Sequence, residues 1–122
     1  MEQPKLFDRK KVEGAAEGER LTLYALGEFQ ARGLALAGRV LPLDRLRGAF
    51  RRAAEELGVE EIGDEASVSA LASLGAEVRR VPSFVAKHPF RVTVNAALAE
   101  RARDFYEEQT ALKKAIEPAA PI

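Results

Sequence analysis

The feature that most constrains this chain is a double change of hydrophobic period within one short segment, "SLGAEVRRVPSFVAKHPFRVTVN", residues 73–95. Ahead of Gly75, apolar residues recur at the three- and four-residue steps of a helix. Beyond it, Phe90, Val92 and Val94 alternate with Arg91 and Thr93, the two-residue step of a half-buried strand. Pro82 and Pro89 bracket the intervening loop. Proline lacks the N–H that a strand ladder or helix interior needs. The segment therefore predicts two short strands, 77–81 and 90–94, paired as a hairpin between two helices. The fold class expected is mostly α with a small β-hairpin.

The helices on either side are read from the same periodicity. From about Glu19, Leu23, Leu26 and Phe29 fall at helical spacing, and Ala25 and Leu36 extend their face, so a first helix is expected to end by Gly38. Val40, Leu41 and Leu43 surround Pro42 and predict a short extended piece, because the residue before a proline is pushed away from helical angles. Asp44 is placed as an N-cap for a second helix, in which Leu43, Leu46, Phe50, Ala53 and Leu57 form one amphipathic stripe. Arg45, Arg47, Arg51 and Arg52 lie on its other faces, with Glu55 and Glu56 at the spacing that pairs with Arg51 and Arg52. Gly58 fits a left-handed cap. Asp64 is placed to cap a third helix with Val68, Leu71 and Leu74 inward, ended by Gly75. Asn95 is placed to cap the last.

That last helix carries a heptad-like seam of Leu98, Ala102, Phe105, Gln109, Leu112 and Ile116. Such a seam exceeds what a small domain buries along a terminal helix. Leu112 and Ile116 would stand exposed in a monomer, so the seam predicts a homodimer interface. Burying a side chain of this size is worth about 1.5–3 kcal/mol.

Composition narrows the function classes. Lys+Arg and Asp+Glu are equal at 19 each, so attraction to nucleic acid has to come from local clustering rather than a global field. Cysteine is absent, which removes disulfides, thiolate metal sites and cysteine nucleophiles. His88 is the sole histidine and lacks a second ligand of its kind or a nucleophile at recognisable spacing. "GAAEG" and "ARGLALAG" lack the spacings of a phosphate-cradling loop. No enzyme activity and no cofactor or metal are expected. The N-terminus has no apolar core of a signal peptide and no run of about 18 apolar residues occurs, so the expectation is a cytoplasmic protein without a membrane partner.

The order helix, short strand, helix, helix, strand, loop, strand, long helix, with "LRGAFRRAAEELG" followed by "ASVSALASLG" and a hairpin, resembles the winged helix-turn-helix proteins. It is similar in particular to the small bacterial repressors that dimerise through a C-terminal helix. The resemblance spans roughly residues 20–116. It implies a winged-helix core over 19–95 and a dimerisation helix over 96–117; ahead of these, mixed charges with Gly14 and Gly18 and no sustained periodicity predict a flexible arm over 1–18, and Pro118 and Pro121 mark a tail over 118–122. The resemblance also implies binding to double-stranded DNA and a role in transcription regulation. The third helix would enter the major groove, presenting Ser67, Ser69 and Ser73, and the hairpin would act as a wing, with Arg79, Arg80, Lys87 and Arg91 touching phosphates.

The residues leave a second reading open. The third helix carries no Lys, Arg, Asn or Gln among its outward positions, and Asp64 and Glu65 would repel phosphates. Both acids also suit a helix N-terminus as ordinary complements of the dipole. Phe84 and Val85 put apolar side chains at a hairpin tip. The alternative is a winged-helix protein–protein interaction module, without DNA binding, that holds a partner through these residues or through the distal last helix.

Overall fold

The structure, a computed structural model, describes residues 6–82 and 89–116, with side-chain surroundings over 16–82 and 89–114. It is mostly helical, with four helices and a small three-stranded antiparallel sheet in the order α1 (Leu6–Ala31), β1 (Val40–Pro42), α2 (Leu43–Leu57), α3 (Asp64–Ser73), β2 (Glu77–Arg80), β3 (Phe90–Thr93) and α4 (Ala96–Ile116).

α1 differs most from its sequence reading. It starts at Leu6, within the stretch read as an arm, and stops at Ala31, well short of Gly38. Gly33, with φ of 84°, turns the chain out of the helix. Instead of one apolar face, every residue from Leu21 to Phe29 is buried, including Thr22, Gly27 and Glu28. The reason is position, since α1 packs against α2, α3 and α4 at once. Thr22 tolerates this because its hydroxyl donates to the Gly18 carbonyl at 2.7 Å.

α4 lies closest to α1 at Gly27. A Cβ there would come within 2.3 Å of the Tyr106 Cβ and 2.5 Å of the Ala102 carbonyl oxygen. Leu98, Ala99 and Ala102 fill the contact. The Gln30 amide donates across it to the Ala99 carbonyl at 2.8 Å. Tyr24 and Tyr106 meet edge to face, with centroids 5.0 Å apart.

The expected stripe of α2 is buried at Leu43, Leu46, Phe50 and Ala53. Two expected caps fall elsewhere. Pro42 occupies the N-cap of α2, so Asp44 sits in the first turn, and Gly63 caps α3, so Asp64 is also a first-turn residue. Gly58 does adopt the left-handed conformation expected of it, at φ 66°. Leu71 is fully buried, while Val68 and Leu74 are half-buried. Asn95 caps α4 as its position implied, its Oδ1 accepting from the Leu98 N–H at 2.8 Å.

In the sheet β3 is central, antiparallel to β1 on one side and β2 on the other. The short piece before α2 is thus a third strand beside the hairpin. Its proline sits at a sheet edge, where a missing donor is tolerated. Leu41, Val92 and Val78 align across the three strands and face the core. Side chains one residue along point the other way.

Candidate nucleic-acid interface

The register of the hairpin decides where its cations go. Arg79 is the direct cross-strand partner of Arg91, and Pro42 continues that row on β1, so both guanidinium groups project from the sheet face opposite the core. Arg79 is exposed and Arg91 half-buried. The Arg91 Nη1 donates to the carbonyl of Phe90 at 3.2 Å. Like charges placed directly opposite cost stability in an antiparallel pair. No ion pair joins Arg79 to any described residue. Arg80 points to the other face, where its guanidinium carbon lies 5.5 Å from the ring centre of its partner Phe90. The hairpin therefore offers Arg79 and Arg91 on one side and Arg80 on the other. Lys87, Phe84, Val85 and His88 lie outside the described residues.

α3 brings the three serines to different surroundings. Ser67 was expected to face outward but is buried, with its hydroxyl donating to the Gly63 carbonyl at 2.9 Å. It stabilises the start of α3 from within. Ser73 is exposed and donates to the Glu19 carboxylate of α1 at 2.6 Å. Ser69 is exposed. The outward surface of α3 thus consists of Glu65, Ala66, Ser69, Ala72 and Ser73. It is small, without cations, and suited to close approach more than to base reading.

The arginines of α2 are largely committed within the chain. Arg47 pairs with Asp64 at the start of α3. Arg51 reaches Glu61 at 3.6 Å rather than the expected Glu55. Arg52 likewise bypasses Glu56 and grips Glu28 of α1 with two hydrogen bonds of 2.8 and 3.0 Å, while Arg32 holds the same carboxylate. Burial would raise the Glu28 pKa, but the hydrogen bonds and charges of Arg52 and Arg32 outweigh it and hold the carboxyl below the usual carboxylate range. Glu56 is left to pair with Lys113 of α4. Apart from the i,i+4 pair Arg32–Glu28, sequence spacing could not find these partners, since each pair lies outside one helix's own turns. Arg45 remains exposed near the start of α2.

The seam of α4 divides along its length. Leu98 and Ala102 belong to the chain's own core. Phe105 and Gln109 are half-buried, and Leu112 is 49% exposed. The side chain of Ile116 lies outside the described set. Among the described residues no group of His, Cys, Asp and Glu could hold a metal ion, and no helix is long and apolar enough to cross a membrane. No family model, curated protein or solved structure matches the chain.

Proposed function

We propose that the chain is a winged helix-turn-helix protein that grips the backbone of double-stranded DNA with its β2–β3 hairpin and acts in pairs as a small transcriptional regulator. The observation that carries this reading is the Arg79–Arg91 row on the outer sheet face. Arg79, exposed in this cross-strand row, presents a guanidinium whose fork suits the oxygens of a phosphate diester. The strand order β1-β3-β2 around a helix pair supports the same reading, since it sets the hairpin beside α3. The small outward residues of α3 allow it to approach a groove closely, but they read little of it. Backbone contact then dominates, and sequence preference is weak. Leu112, exposed on α4, supplies apolar surface for pairing.

Fluorescence anisotropy with a labelled random duplex tests the proposal. Binding is expected at low salt and should weaken steeply as salt rises, because each neutralised phosphate contributes a slope of about −0.9 in log affinity against log salt. Replacing Arg79 and Arg80 by glutamate should abolish binding while leaving the circular dichroism spectrum unchanged. Absence of binding at low salt, or an unchanged titration with the double variant, overturns the assignment. Light scattering reports the pairing, which Leu112→Glu should weaken.

A further inference from the structure

A second surface, between α1 and α4, has a different character. The middle of α1, at residues 16–23, and one face of α4 border an open groove of about 670 Å³. Leu23 and Phe105 form its apolar floor, and Glu100, Asp104 and Glu108 stand along the α4 wall. These three acids occupy i, i+4 and i+8 positions of one helix, a spacing at which like charges repel. All three are exposed, and none makes a hydrogen bond or ion pair with a described residue. Glu19 adds a fourth carboxylate from α1, and among the described residues lining the groove Arg20 and Arg101 are the only cations, so this described lining is net negative. The chain as a whole is balanced, which makes this a local arrangement.

We infer that this groove docks a basic amphipathic α-helix of a partner protein, whose apolar face seats on Leu23 and Phe105 while flanking lysines or arginines meet the acids of α4. An amphipathic helix laid in a groove presents apolar anchors at i, i+3 or i+4 and i+7, and the void has room for a few such side chains. A second copy of the chain fits poorly through the same surface. A two-fold contact would set one concave, net-negative groove against another, leaving space unfilled and acids facing acids. Charge and shape both favour a convex, cationic occupant. The surface is separate from the hairpin arginines, so the inference stands apart from the DNA-binding proposal.

The test uses the full chain and a fluorescein-labelled model peptide of leucine and lysine in helical spacing, followed by anisotropy. A scrambled peptide of the same composition controls for charge alone. Saturable binding of the amphipathic peptide is expected, at least tenfold tighter than that of the scrambled one. The variant E100K/D104K/E108K should weaken it at least tenfold. The variant E55K/E60K/E65K changes net charge equally at exposed sites off the groove and should leave it within twofold, with circular dichroism confirming that both variants fold. Equal binding of the two peptides, or equal loss in the two variants, overturns the inference. So does a failure to bind peptide accompanied by a change of oligomer mass in the groove variant, which assigns the groove to a second copy.

Discussion

Gly27→Ala is the substitution that tests the packing of α4 most sharply. Its new methyl carbon would lie 2.3 Å from the Tyr106 Cβ and 2.5 Å from the Ala102 carbonyl oxygen, where ordinary contacts run at 3.4–4 Å. Neither obstacle is the end of a flexible side chain, so relief requires α1 and α4 to separate by about 1 Å, and tightly packed interiors resist such shifts. Overpacking of this kind costs about 1–3 kcal/mol. Alanine returns about 1 kcal/mol through its better helix propensity. With backbone in the way, the upper part of the range applies, and the net loss is about 1–2 kcal/mol. For a chain of this length that corresponds to a fall in Tm of roughly 4–8 °C. Urea denaturation followed by circular dichroism measures it, and Gly48→Ala in α2 is the internal control. At Gly48 an added Cβ meets only the Arg52 guanidinium, at 3.2 Å, which must shift by a few tenths of an ångström while held by Glu28, so the propensity gain of about 1 kcal/mol is offset in part and that variant should stay close to the parent. Finding Gly27→Ala as stable as Gly48→Ala would refute the close approach of the two helices.

Two further substitutions probe single contacts. Because the Glu28 carboxyl titrates lower in the folded chain than in the unfolded one, the unfolded chain takes up the proton first as acid is added. The stabilisation is complete above about pH 4.3 and declines as pH falls through the folded value. Glu28→Gln should flatten that part of the stability–pH profile and lower stability near neutrality, as read from urea midpoints at a series of pH values. Asn95→Ala removes the acceptor for the Leu98 N–H and should cost about 1 kcal/mol in the same denaturation assay.

The elements that were legible in the sequence are those whose signal is local. The α2 stripe, the left-handed turn at Gly58, the two hairpin runs and the Asn95 cap each depend on residues within a few positions of one another. α1 was harder to read because a helix surrounded by three others has no polar face over 21–29, and the periodic pattern then dissolves. The start of α2 moved by two residues and that of α3 by one because Pro42 and Gly63, neither carrying a capping group, took the cap positions ahead of the acids. The hairpin arginines were visible as a cluster, but their division between two faces follows from the register alone. Ser67 could not be told from Ser69 by composition, since the two lie about 200° apart around the helix axis and only the packing of α3 decides which side turns inward. The groove beside α4 left a trace in the spacing of Glu100, Asp104 and Glu108, yet its floor exists only once α1 is in place.

The central position of β3 has a consequence for how the chain comes apart. Because β1 and β2 are both pinned to it, everything between them is closed into a loop whose two ends meet on one strand. Severing the backbone between Gly58 and Gly63 would spare every sheet rung, and the two pieces should stay associated through the ladder and the α1 contacts. Such a nicked molecule would show on a denaturing gel as two bands and in solution as one particle.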